Sequence, residues 1–298
     1  MLAHLPDLLP SDSLVNSTTQ VRCFGHVLNI GGKAFISVFI EGVDQEDDNE
    51  GSNDKYDNEA GDPLSDLEDD QEDAVGNEAA EARDRDEEER REIELLTNDL
   101  EEVKNLTKKD LEVAASAFTK LKKLGHSFRY QEEPRRDLKK ECMKNKIKAR
   151  TPKRAVDTRW NTWSDVVDRA VEIRTPLTQV LSSAKYAQGR KEKTKLAELR
   201  PDDDEWDLIE EIKPVLEWFK RATLRISASS RPLLCEVIPL IDTLTDNLLE
   251  LRKDWTKSPQ TRAGAAKAIA VLNKYYSKTD DTIMYKMSMS TCFLVLFL

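Results

Sequence analysis

The stretch from Ala155 to Ile173 constrains the fold of this chain most strongly, because it predicts both a turn and the buried face of a helix. After a strand-like entry and a polar turn, apolar residues recur at spacings of three and four. They are Trp163, Val166, Val167, Ala170, Val171 and Ile173. Such spacing is typical of one face of an α-helix. Ser164 is the expected N-cap, and Pro176 limits how far the helix continues.

Arg159 and Trp160 lie in the predicted turn, immediately before this helix. Two interpretations of the pair stay open. In the first, Trp160 anchors the core and Arg159 is a surface cation. In the second, a cation and a flat ring are presented together to a nucleic-acid strand, for phosphate contact and base stacking.

Charge is distributed very unevenly along the 298 residues, whose formal net charge is −11. Asp44 to Glu89 contains 22 acidic and 3 basic residues, so the rest of the chain carries a net charge of +8. Residues 42–89 also contain few large apolar side chains and cannot offset the entropy cost of ordering, which predicts a disordered acidic insert. The insert is either a solvated spacer or an intramolecular competitor with DNA for the basic segment that follows.

That basic segment, Lys120 to Arg154, contains fourteen basic and four acidic residues. Two interpretations carry equal weight: a solvated helix face, and a stretch that contacts phosphates, which its position directly before Arg159 and Trp160 suggests. The candidate phosphate-binding side chains are Lys144, Lys146, Lys148, Arg150, Lys153 and Arg154.

Other segments predict mostly helices. A short strand is expected over Gln20 to Phe24, followed by a helix from His26 to Ile40 whose adjacent glycines, Gly31 and Gly32, allow a close backbone approach. Helical periodicity resumes from Arg90 to Leu124, with Gly125 as the expected stop. Asp202 to Asp204 and Ser258-Pro259 are the expected starts of two later helices.

The sequence gives only weak support for a metal site or a membrane-spanning segment. Cys23-x-x-His26 has half of a zinc-site spacing, but His4, His126, Cys142 and Cys235 do not form a second close pair, so a packed cysteine beside a hydrogen-bonded histidine is favoured. The widely spaced cysteines fit a reducing compartment. The apolar run from Cys292 to Leu298 is much shorter than the roughly 20 residues that span a bilayer, and no membrane association is expected.

Four blocks, in this order, carry a family resemblance. They are Val21 to Ile30, with C-x-x-H-x-L-N; Asp157 to Asn161, with TRWN; Trp206 to Pro239, with W…L…T…S…P…P; and Leu272 to Tyr285, with KYY…Y. Together they resemble hAT-superfamily transposases of the fungal type. The resemblance covers most of the sequence that is expected to be ordered.

The resemblance implies a mainly α-helical chain built from part of a transposase. Residues 1–41 would be a remnant of an RNase H-like α/β core, 42–89 the acidic insert, 90–287 a helical insertion domain and 288–298 a divergent apolar tail. It also implies DNA as the partner, a nuclear location, and an intact transposase or a second copy of the chain as further partners. His26, Arg159 and Trp160 would lie near the DNA.

The family's chemistry uses carboxylates that hold Mg²⁺ or Mn²⁺ for in-line attack on phosphorus. No carboxylate here matches that catalytic set, and the family's zinc finger and dimerisation segment are also unmatched. We therefore expect no catalytic residue, no bound cofactor or metal, and no autonomous catalysis. The alternatives to a DNA-binding fragment are a helical protein-interaction module and a decayed gene product without a function of its own.

Overall fold

The computed structural model describes residues 23–40, 76–156, 160–187, 196–227 and 234–279, with short fragments between 283 and 290. Eleven α-helices and one 3-10 turn, Leu196–Leu199, lie in these ranges. The helices are α1 (Phe24–Ile40), α2 (Gly76–Thr97), α3 (Glu101–Lys104), α4 (Lys108–Tyr130), α5 (Glu132–Lys144), α6 (Trp160–Glu172), α7 (Arg174–Leu181), α8 (Ala184–Ala187), α9 (Asp203–Ile226), α10 (Leu234–Lys253) and α11 (Pro259–Ser277).

The prediction of a mainly helical chain is confirmed. The described part of the chain contains no strand. The strand expected over Gln20 to Phe24 is wrong at Phe24, which begins α1, while Gln20 to Arg22 lie outside the described residues. The RNase H-like remnant therefore stays a prediction.

Helix α1 lies at the centre of the fold. Eleven of its seventeen residues are buried, and it packs against α11, α4, α9 and α6. A helix that is apolar around most of its circumference is stable only when other helices cover it on several sides. The helix predicted from His26 to Ile40 is thus confirmed, and its covered faces explain why its sequence has no broad polar stripe.

Glycines permit the closest approaches to α1. A Cβ atom added at Gly32 would lie 2.7 Å from the indole of Trp160 on α6, and one added at Gly31 would lie 3.2 Å from Phe219 on α9. On the opposing helix α11, a Cβ at Gly264 would lie 2.9 Å from the carbonyl oxygen of Phe35. The close approach expected at the adjacent glycines is confirmed, because a side chain at these positions would separate the helices.

Aromatic rings extend the core from α1 into three other helices. Ring centroids lie 5.0–6.5 Å apart with tilted or edge-on planes, which are the arrangements that aromatic pairs prefer. The rings in contact are those of Phe35, Phe39, Phe118, Trp160, Trp163 and Phe219.

Helix α2 corrects the expected extent of the acidic insert. The insert was expected to be disordered to residue 89, but residues 76–89 are helical, and residues 42–75 lie outside the described residues. The carboxylate of Glu92 accepts hydrogen bonds from Lys274 at 2.7 Å and Tyr275 at 2.9 Å on α11. Ile93 is buried and Leu96 packs partly buried against the core, so two apolar side chains and several ion pairs hold an otherwise polar helix in place.

Two predicted helix boundaries are also wrong. Gly125 does not end a helix, because α4 continues through it to Tyr130. Ser164 is not an N-cap, because it is buried in the second turn of α6, which begins at Trp160. In both cases tertiary packing outweighs the local signal. By contrast, Asp202 and Ser258 cap α9 and α11 as predicted, each accepting a hydrogen bond from a backbone N–H three residues later.

The glycine contacts generate a stability prediction. Gly32→Ala should destabilise the protein by about 1–3 kcal/mol, because the new methyl group overlaps Trp160. The free energy of unfolding in urea measures the effect. Gly25→Ala is the control, because its Cβ meets neighbours only at 3.8 Å or more, and it should cost nothing. Equal stability of both variants would contradict this packing.

The attachment of α2 should depend on pH. Burial raises the pKa of Glu92, but hydrogen bonds from Lys274 and Tyr275 outweigh it, and the pKa lies below its ordinary value. A lowered folded-state pKa contributes stability above the unfolded value of about 4.3 that is lost as pH falls through the folded value. Glu92→Gln should therefore destabilise at pH 7 by about 1 kcal/mol and much less at acid pH.

Glu87→Gln is the matched control for this variant. Glu87 lies on the same helix, and among the described residues its ion-pair partner is Arg91, one turn away on an exposed surface. Its loss should change the free energy of unfolding little at either pH. Hydrogen exchange of the amides in residues 86–97 locates the effect; unchanged exchange in Glu92→Gln at pH 7 would rule out the anchoring role.

Candidate nucleic-acid interface

Residues 145–156, the basic strap, follow α5 and run antiparallel to α7 and α6. Their contacts occur in reverse order along those helices. The pairs are Asn145 with Gln179 at 2.7 Å, Arg150 with Glu172 at 2.7 Å, Thr151 with Arg169 at 3.0 Å, Lys153 with Asp165 at 3.3 Å and Val156 with Thr162 at 2.9 Å. The strap has no regular secondary structure, yet side chains of α6 and α7 fix its path.

The strap's other edge lies against α4. A Cβ atom added at Gly125 would lie 2.3 Å from the carbonyl oxygen of Lys153, so the glycine lets the strap backbone touch the helix. Ala155 is buried at the same crossing. The glycine that sequence analysis interpreted as a helix stop is therefore required for packing the strap.

A Schellman motif starts the strap at the end of α5. The N–H of Ile147 donates to the carbonyl of Cys142, and that of Lys146 donates to Met143. Lys146 takes the left-handed conformation, with a φ of 57°, at the position where glycine is usual. A side chain costs about 1 kcal/mol there, and that of Lys146 is exposed.

Three of the predicted phosphate contacts are paired within the fold. Lys144 forms an ion pair with Glu141 at 2.5 Å. Arg150 and Lys153 form the ion pairs with Glu172 and Asp165 described above. The carboxylates offset the charge of these three cations. The ion pairs of Arg150 and Lys153 also hold the strap against α6. The other three predicted cations, Lys146, Lys148 and Arg154, are exposed.

Asp165 joins the strap to α9 as well as to α6. Its carboxylate accepts from Lys220 at 2.6 Å and from Lys153 at 3.3 Å. Burial raises the pKa of Asp165, but the two lysines outweigh it, so the pKa lies below the ordinary value and the group is ionised at neutral pH. One carboxylate therefore holds two cations from separate segments.

His26 does not contact the strap. Its side chain, 49% exposed, lies at the start of α1, with Nδ1 3.3 Å from a carboxylate oxygen of Glu89. Glu89 also accepts from Lys33 at 2.5 Å and Asn29 at 3.4 Å. The carboxylate of Glu89 thus lies beside the half-exposed His26 and would repel a phosphate at this position.

Trp160 is a core residue, which corrects its expected role as a stacking platform. Trp160 is 1% exposed and contacts Gly32 and, edge to face, Phe219, so no base can reach its ring. The core-anchor interpretation of Trp160 is the one that this geometry supports. Arg159 lies outside the described residues.

Metal ligands are not grouped in the described part of the chain, where no cluster of three or more His, Cys, Asp or Glu side chains could hold an ion. Cys142 is buried, which raises the pKa of its thiol.

Among the helices that the structure describes, none has the length and apolar character needed to cross a membrane.

Sequence analysis missed Trp255, in the turn between α10 and α11. Its side chain is 82% exposed, and the guanidinium carbon of Arg262 lies 4.0 Å from the ring centroid. The available signal was its context, Lys253-Asp254-Trp255-Thr256-Lys257, where a tryptophan stands between polar residues at the junction of two helices. An exposed aromatic ring with an arginine against it therefore lies in this turn.

In comparisons with known proteins, no family model, no curated protein and no solved structure matches this chain. The function must therefore be inferred from the chain's own sequence and geometry. The relevant geometry is the basic strap and the cations that it exposes.

Truncation of the two tryptophans should affect stability to different extents, because Trp160 is buried and Trp255 is exposed. Trp160→Ala should lower the free energy of unfolding by about 3–5 kcal/mol, because it empties a buried site between α1 and α9. Trp255→Ala should change it by no more than about 0.5 kcal/mol. Urea denaturation distinguishes them, and a larger loss in Trp255→Ala than in Trp160→Ala would show that the two environments are assigned wrongly.

Proposed function

We propose that this chain is a transposase-derived fragment that binds DNA by contacting phosphates with the basic strap. The observation that carries the proposal is the strap's composition and position. Its twelve residues include five basic and no acidic side chains, and contacts on two sides hold its backbone in place. Lys146, Lys148 and Arg154 are exposed along it.

A held backbone favours this role for a thermodynamic reason. A flexible basic segment loses conformational entropy when it settles on DNA, whereas a fixed segment has lost that entropy during folding. Each exposed cation that meets a phosphate releases condensed counterions, which drives binding at low salt. The pairs formed by Arg150 and Lys153 contribute the fixed geometry, and the exposed cations contribute the affinity.

Phosphate contacts carry little sequence information. We therefore propose weak, salt-dependent binding to duplex DNA of any sequence, and a nuclear location follows from that partner. The four sequence blocks support descent from an hAT-type transposase. No carboxylate in the chain matches the family's catalytic set, which supports binding without strand cleavage by this chain alone.

Removing two exposed charges tests the proposal. Lys146→Asn/Lys148→Gln should weaken duplex binding and reduce the log–log salt slope by about two units. Asparagine is chosen because it tolerates the left-handed φ of Lys146. Fluorescence anisotropy of a labelled duplex between 50 and 200 mM salt, about the range in which such contacts lose most affinity, gives the slope.

Arg90→Ala/Arg91→Ala is the matched control, because it removes two exposed charges from α2 instead of the strap. Its slope should equal that of the unmodified chain. Equal slopes in all three proteins would refute the strap as the contact surface. Absence of duplex binding by the unmodified chain at 50 mM salt would refute the proposed function itself.

A helical protein-interaction module is the second candidate. It is favoured by Leu95, which is 86% exposed on α2 beside the partly buried Leu96. Such a side chain suits a helix from a second copy or from an intact transposase. Sedimentation velocity of the chain and of Leu95→Glu tests self-association; a concentration-independent monomer in both cases would remove the support for a self-association surface.

A further inference from the structure

Trp255 is presented by a rigid turn. The carboxylate of Asp254 accepts from the backbone N–H of Thr256 at 2.9 Å and from its hydroxyl at 2.6 Å. At the end of the turn, Ser258 donates to Glu211 on α9 through its backbone N–H at 3.0 Å and its hydroxyl at 2.6 Å. These bonds fix the backbone on either side of the ring, so its exposure is a property of the fold.

Arg262 supports the ring from the first turn of α11. Its guanidinium carbon lies 4.0 Å from the centroid of the Trp255 ring, a cation–π geometry that restrains the indole. Because the side chain is still 82% exposed, much of the ring is open to a ligand. The arrangement is a flat apolar platform backed by a positive charge.

The surroundings of the platform are cationic. Lys253, Lys257 and Arg262 form no ion pair with any residue in the described ranges, while Arg252 is paired with Glu102 on α3. The nearest acidic residue in the turn, Asp254, directs its carboxylate to Thr256. Arg262 therefore lies against the ring, and Lys253 and Lys257 lie two residues before and after it in the chain.

We propose that Trp255 binds single-stranded nucleic acid by stacking one unpaired base on its open face. Lys253, Lys257 and Arg262 contact the neighbouring phosphates. A duplex is excluded from this contact because its bases are already stacked, whereas an unpaired base offers a free π-face to an aromatic side chain. The inference deepens the proposed function and rests on it, since it adds a single-strand contact to the phosphate contacts of the strap.

The patch suits a nucleic acid better than a protein. The segment 252–262, which the structure describes completely, contains no large apolar residue other than Trp255. A tryptophan at the centre of a protein interface is normally surrounded by further contacts that exclude water. An isolated ring among cations instead matches the stacking and phosphate contacts of single-strand binding surfaces.

The experiment compares a labelled 20-nucleotide oligo(dT) with a labelled duplex, using the full chain. Trp255→Ala should weaken oligo(dT) binding by about 5- to 150-fold, the usual effect of one stacked base, and leave duplex binding within about twofold. Trp255→Phe should retain most of the affinity, because phenylalanine keeps a stacking face. Leu224→Ala, which removes an exposed apolar side chain from α9, should bind like the unmodified chain.

Fluorescence gives a direct readout of the same contact. Trp160, Trp163 and Trp206 are buried and Trp218 is partly buried, so Trp255 should account for most of the emission that iodide quenches. Oligo(dT) should protect that fraction in the unmodified chain and in Lys146→Asn/Lys148→Gln, whereas duplex should not.

Each outcome decides between the two proposals. Oligo(dT) binding that Trp255→Ala leaves within twofold overturns the stacking contact, whatever the strap variant does to duplex binding. No oligo(dT) binding by the unmodified chain overturns it as well. If Trp255→Ala abolishes self-association in sedimentation and does not change oligo(dT) affinity, the surface is an interface between copies. Unchanged duplex binding in the strap variant, by contrast, removes only the proposed duplex contact.

Discussion

The rest of the fold depends on one constraint, which is that the neighbouring helices pack very closely against α1. Gly32 lets the Trp160 ring lie against the α1 backbone, and Gly264 lets α11 touch the carbonyl oxygen of Phe35. Hydrogen atoms at these positions give distances that a methyl group would not allow. With α1 enclosed in this way, the aromatic rings of α4, α6 and α9 meet around it, and dense packing compensates for two adjacent glycines in the middle of a helix.

The basic strap depends on the same packing. Helices α4 and α6 both contact α1, and the strap lies between them, touching Gly125 on one side and pairing with Asp165 on the other. Its cations consequently divide into two groups with different roles. Arg150 and Lys153 hold the segment in place, while Lys146, Lys148 and Arg154 are exposed. A count of basic residues along the sequence does not distinguish these groups.

Carboxylates determine where the positive surface is open. On α2, the carboxylate of Glu89 lies against His26 and Lys33, and that of Glu92 pairs with Lys274. These carboxylates offset the positive charge of the surface that α2 covers. In the strap, carboxylates pair with Arg150 and Lys153, while Lys146, Lys148 and Arg154 keep exposed side chains. The two proposed contacts, of phosphates with the strap and of an unpaired base with Trp255, would use complementary chemistry.

The sequence by itself determined the helical class, the presence of helix α1, the caps at Asp202 and Ser258, and the charge of the strap. These features depend on local periodicity, capping chemistry and composition, which neighbouring residues specify. Only the tertiary structure decided that Gly125 is a contact, that Trp160 is buried, and that Trp255 is exposed. A glycine or a tryptophan has the same local signature in either role, and its exposure depends on which distant helix covers it.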